Sequence, residues 1–101
     1  MTHMWTWGGK YFGYREGDDL WTHSGHHVGR FYDDEIADQL GRYLGELMNG
    51  NRLIVNTTRR SSHYPTFAPR ARRVALMKCM AYVGYVVYMG YEDFPPPENF
   101  A

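Results

Sequence analysis

A chain of 101 residues, 44% apolar and 17% aromatic, is long enough for one domain with a real core and too aromatic for disorder. Its net charge is zero, which weighs against a dedicated nucleic-acid binder, and its single cysteine, Cys79, excludes an internal disulfide. The opening Met1-Thr2-His3-Met4-Trp5 has neither the charged nor the apolar region of a secretory signal, so a cytoplasmic protein is expected.

Along the chain, residues 4–7 read as a first strand. Residues 10–15 form an aromatic-rich strand, 16–19 an Asp/Gly turn, and 20–22 run back. The plan returns twice: 28–31, a turn at 32–34 and 35–38; then 43–47, a Gly/Asn turn at 48–51 and 52–56. A pattern at a constant interval of 16 residues supports this parsing: Gly9-Lys10-Tyr11-Phe12-Gly13, Gly25-His26-His27-Val28-Gly29 and Gly41-Arg42-Tyr43-Leu44-Gly45. The apolar pairs Met4-Trp5, Leu20-Trp21 and Ile36-Ala37 keep the same register, with Leu53-Ile54 one residue late. A competing pattern exists, since Ile36, Leu40, Tyr43, Leu44 and Leu47 trace an amphipathic helix over 34–48. Gly41 and Gly45 would each cost about 1 kcal/mol inside it, and the copies at 9–13 and 25–29 show no such stripe.

After a basic insertion at 57–79, Met80-Ala81-Tyr82-Val83-Gly84 retains part of the pattern, with 85–88 as its outgoing strand. The repeats are therefore expected near 9–23, 25–39, 41–56 and 80–94, in one all-β domain. Met4-Trp5 aligns with the return strands, so the N-terminal strand is expected to complete the fourth unit and close the ring, hiding its edges. A tail at 95–101, led by Pro95-Pro96-Pro97, is expected to end the fold as a stiff extension. The apolar run 74–91 includes Lys78, four tyrosines and two glycines, a poor membrane span. No membrane association is expected.

The runs Lys10-Tyr11-Phe12-Gly13-Tyr14, Gly25 to Gly29, Gly41 to Leu47 and Tyr82-Val83-Gly84-Tyr85 resemble the bacterial four-fold β-flower domain, over about residues 4–94. The resemblance implies four pseudo-repeated two-stranded units around a pseudo-four-fold axis. It brings no catalytic motif onto these positions.

Charge is unevenly distributed. Residues 1–57 sum to −3, residues 58–79 to +6 without an acid, and residues 80–101 to −3. Arginine grips phosphate or carboxylate through a planar fork. Aromatic rings can stack on a base. The candidate ligand-binding residues are accordingly Arg59, Arg60, His63, Tyr64, Phe67, Arg70, Arg72 and Arg73, with hydroxyls at 57, 58, 61, 62 and 66 as further donors. The alternative is a solvated loop whose arginines balance acidic turns elsewhere.

His23, His26 and His27 with Asp18, Asp19, Asp33 and Asp34 match no established metal-ligand spacing, and no metal or cofactor is expected. Cys79 among Met77, Met80 and Ala81 reads as an inert thiol, with His63 as the histidine considered for it. Seventeen aromatics exceed what such a core hides, so some are expected at a cleft or subunit interface, and a homo-oligomer with them. The expected function is non-catalytic: a binding protein that holds, and thereby sequesters, a small anionic ligand such as a nucleotide or nucleotide-derived signal. The alternative is an interaction or assembly module using exposed aromatics, with Trp5, Trp7 and Trp21 as its sensitive positions. A nucleotide hydrolase using the His/Asp turns ranks third.

Overall fold

In the computed structural model, which describes residues 1–100, the Gly/Asp-punctuated aromatic runs pair as strands. These are β1 (Thr2–Thr6), β2 (Tyr11–Glu16), β3 (Asp19–Thr22), β4 (His27–Tyr32), β5 (Glu35–Ala37), β6 (Tyr43–Met48), β7 (Arg52–Asn56) and β8 (Tyr91–Asp93). Consecutive strands are antiparallel neighbours, and β1 also pairs in parallel with β7, so the first seven close into a barrel. The β2–β3, β4–β5 and β6–β7 turns lie where the sequence predicts them. Gly17, Asp33, Asn49 and Gly50 supply their positive φ angles. The helix considered over 34–48 does not form; β5 and β6 occupy that stretch, and no α-helix occurs among the described residues.

The 16-residue interval has a structural meaning. At each apolar pair the ladder slips, between Met4 and Trp5, Leu20 and Trp21, and Ile36 and Ala37. Such bulges add twist, which helps short strands curl into closure. Met4, Leu20 and Ile36 enter the core with Phe12, Phe31, Leu53 and Phe94. One residue past each pair, the side chain of Thr6, Thr22 or Asp38 accepts the backbone N–H of Lys10, His26 or Arg42, at 3.2, 3.1 and 2.9 Å. The carbonyls of the same three residues accept the N–H of Gly9, Gly25 and Gly41.

Those glycines receive a strap. Residues 64–88 belong to no helix or strand, yet pass the three turns in reverse order. The N–H groups of Tyr64, Arg73 and Tyr82 donate to the carbonyls of Gly41, Gly25 and Gly9 at 2.9, 2.8 and 2.9 Å. Three residues further on in each case, Phe67, Leu76 and Tyr85 donate to Gln39, His23 and Trp7 at 3.1, 2.7 and 3.0 Å. Nine strap residues thus match sixteen barrel residues at each step. Side chains keep the period: Tyr64 stacks on Tyr32, the Arg73 guanidinium lies 3.9 Å over Trp21, and Tyr82 stacks on Trp5 with centroids 3.9 Å apart. At the seam between β1 and β7, buried Arg52 donates to the carbonyls of Trp7 (3.2 Å) and Val83 (2.7 Å), and its guanidinium lies over Tyr85.

Four expectations need correction. No hairpin forms over 80–94: residues 80–88 lie in the strap, and β8 adds singly to β7. β1 closes on β7 instead, which leaves a fourth unit no free barrel edge to complete. The tail is not a stiff extension, because Phe94 is buried against Phe12, Pro97 is buried, and Phe100 packs on Phe12 from a 3₁₀ turn at Pro97–Phe100. Trp5, Trp7 and Trp21 are not exposed; they form the floor beneath the strap.

Candidate functional site

The basic segment is drawn out along the barrel, so its arginines meet different acids. Arg59 pairs with Glu35 at 3.0 Å and Glu46 at 3.5 Å, and Arg60 pairs with Glu92. His63 forms a backbone bridge with Arg42. The Tyr64 hydroxyl donates to Glu35, and burial with this bond pushes its pKa up to about 12. Arg72 donates to the Ser24 carbonyl at 3.4 Å. These five residues do not share a site with the remaining three.

Arg70 and Arg73 do come together, at an open cleft lined by Glu16, Gly17, Asp18, Asp19, Arg30, Arg70 and Arg73, and Phe67 lies outside that lining beneath Arg30. Its wall follows from hairpin registry. The Gly17-Asp18 turn starts β3 at Asp19, and the β3–β4 ladder sets Asp19 opposite Arg30. Asp19 Oδ1 lies 3.0 Å from His27 Nε2 and 3.7 Å from Arg30 Nε, while Oδ2 accepts from Arg70 Nε at 2.6 Å. Arg73 pairs with Glu16 at 2.9 Å and Arg15 with Asp18 at 3.4 Å. Arg30 and Arg73 lie on the faces of Phe67 and Trp21, 4.6 and 3.9 Å from the ring centroids. In the lining, three guanidiniums, Arg30, Arg70 and Arg73, therefore face three carboxylates, Glu16, Asp18 and Asp19.

Behind Asp19 lies His27, whose side chain is sealed from solvent. Its Nδ1 accepts the Arg70 backbone N–H at 2.9 Å, and Nε2 lies 3.0 Å from the Gly29 carbonyl. A proton on Nδ1 would meet a donor that already points at it. Burial holds the His27 pKa below the usual histidine value; the Asp19 carboxylate and the Gly29 carbonyl oppose this and lose. With both nitrogens engaged, His27 has no lone pair free for general-base work.

Arg30, His27, Arg15 and Asp19 were not singled out by the sequence as binding residues. A signal existed: once β3 and β4 are a hairpin, Asp19 and Arg30 fall across from each other with opposite charges. Cys79 lies away from His63 in the hydrogen-bond pattern, its Sγ 3.9 Å from His3 Nδ1, and that nitrogen is 2.8 Å from the Tyr11 hydroxyl. Among the described residues no group of three or more His, Cys, Asp or Glu side chains could hold a metal ion, and no helix is long and apolar enough to cross a membrane. Comparison of the chain with protein-family models, curated proteins and solved structures returned no match.

Proposed function

We propose that this is a non-catalytic binding protein that holds a small anionic ligand in the cleft between the β2–β3 turn and the strap. The observation that carries the reading is the convergence of Arg30, Arg70 and Arg73 from two distant chain segments on one open cleft. Asp19 is an internal carboxylate held by two of these arginines, and so marks a position where an anionic group is accepted. Trp21 is buried beneath Arg73, and the Phe67 ring is packed by Arg30 and His27, so neither is presented as an open stacking platform. The ligand's charged group, phosphate or carboxylate, therefore supplies most of the affinity, and a nucleotide binds through its phosphate. Holding without turnover amounts to sequestration. The likeness to the β-flower family belongs to this reading too: three Gly-x-x-x-Gly hairpins of a four-unit plan, with the strap where the fourth unit is absent.

Calorimetric titration with inorganic phosphate and with mono-, di- and cyclic nucleotides tests the proposal. Binding is expected to weaken as salt rises. Arg70→Ala should cost about 1.5–3 kcal/mol of binding, the worth of a charged hydrogen bond. Arg60→Ala should leave binding unchanged, since its partner Glu92 lies outside the cleft. Asp19→Asn should tighten binding by removing the internal competitor. Absence of heat with every ligand, for the wild type and Asp19→Asn alike, would end the proposal.

A further inference from the structure

The strap presents a face that none of the described residues covers. Its inward positions recur every third residue, as the hydrogen bonds of Tyr64, Phe67, Arg73, Leu76, Tyr82 and Tyr85 show. One residue beyond 73, 76, 79, 82, 85 and 88 lies a second series: Val74, Met77, Met80, Val83, Val86 and Met89. All six are apolar and between 81% and 100% exposed, whereas Leu76, Tyr82, Tyr85 and Tyr88 are 37% to 56% exposed. A soluble monomer rarely leaves so long an apolar series in water. The exposed area of six such side chains is on the order of the ~800 Å² per partner that a standard stable interface covers.

We propose that this stripe is the contact between two copies of the chain, related by a two-fold axis that passes between Ala81 and Tyr82. In a two-fold contact residue i meets residue j and j meets i. Two antiparallel stripes about that midpoint place Met80 against Val83, Met77 against Val86, and Val74 against Met89. Every pairing sets a flexible methionine against a β-branched valine, a combination that fills irregular gaps without a steric clash between like shapes. The stripe itself carries no charge, and the single charge in the stretch, Lys78, lies off it. Burial without charge desolvation favours a second copy over a charged partner. The contact is independent of the anion cleft, none of whose lining residues belongs to the stripe.

Sedimentation velocity of the full chain across roughly 1–100 µM, the range of moderate association, should show a monomer–dimer equilibrium. Met80→Glu should shift the population to monomer with an unchanged circular dichroism spectrum, since the position is exposed. Adding Val83→Lys in the same chain places opposite charges across the two-fold and should restore the dimer in a salt-sensitive form. Met80→Glu with Val86→Lys mismatches the register and should stay monomeric. Met77→Glu with Val86→Lys provides a second matched pair should the first disturb folding. A wild-type monomer throughout the range, a larger assembly without a dimer, an unaffected Met80→Glu variant, or restoration by the mismatched pair would each overturn the proposal.

Discussion

Protonation of His27 removes its acceptor for the Arg70 backbone and charges a side chain sealed from solvent. Its folded pKa is lowered, chiefly by burial, so the unfolded chain binds the proton more readily. The sign of the linkage follows. The contribution is complete above the unfolded histidine value of about 6.5 and is lost as pH falls through the lower folded value. Half-buried His23 is lowered in the same direction, by burial first and then by Lys78. The melting temperature should therefore fall as pH is taken from about 7.5 to about 5, and the fall should be shallower in His27→Gln. Equal slopes in the two proteins would remove His27 from the acid sensitivity. The same residue shows a limit on reading residues alone. As one of three histidines in a turn-rich stretch it matches no metal-ligand spacing and suggests no role, and the contact it does make is with a strap residue 43 positions away.

The strap is held as much by glycine as by any side chain. Gly9, Gly25 and Gly41 have φ of 95°, 95° and 80°, and a Cβ on any of them would run into the strap carbonyl of Tyr82, Arg73 or Tyr64. Gly17 also has a positive φ of 60°, but a Cβ there meets nothing within 4 Å. The two situations separate backbone strain from steric exclusion. Gly17→Ala should cost about 1–2 kcal/mol, the penalty of the left-handed conformation. Gly25→Ala should add an overpacking cost of about 1–3 kcal/mol and should loosen the strap near Arg73. Chemical denaturation gives the first comparison, and the rate of tryptic cleavage at Arg72 and Arg73 gives the second. Equal stability losses at the two glycines would mean that the strap carbonyls do not press on the turns. The interval of these glycines was legible as a repeat, but its purpose was not, because a glycine required for a turn and one required beneath a passing chain look identical in sequence.

In the whole molecule, seven strands make the wall and the C-terminal segment completes the interior. Phe94 lies against Phe12 edge-on with centroids 5.2 Å apart, and its ring also fills the space beside Gly45. Phe94→Ala should cost about 3–5 kcal/mol, the range for deleting a buried aromatic. Phe100→Ala, at a half-buried site, should cost distinctly less. Thermal or urea unfolding of the two variants checks this; a reversed order would place the closing contact at the 3₁₀ turn instead of at Phe94. The cleft also arises at this level, since it exists only because the strap, crossing the β3–β4 turn after the barrel has closed, carries Arg70 and Arg73 to Asp19 and Glu16.

The seven barrel strands, their turns and the all-β class could be read from the sequence because each is decided within a few residues. Alternating apolar positions select a face, Gly, Asp and Asn permit the turn, and a 16-residue interval repeats the solution. Ring closure was legible in part: the N-terminal strand does close the barrel, though on β7. The strap, the plug and the cleft were not legible. Their partners lie tens of residues away, as Arg70 to Asp19 and Phe94 to Phe12 show, and a nine-residue period acquires meaning only once three turns are carried to one side of a closed barrel. The arginine-rich segment reads alone as an unbalanced charge. The tertiary structure sets it against the acids of β2, β3, β5, β6 and β8 or of the turns between them, because Coulombic partners are chosen by distance in space rather than along the chain.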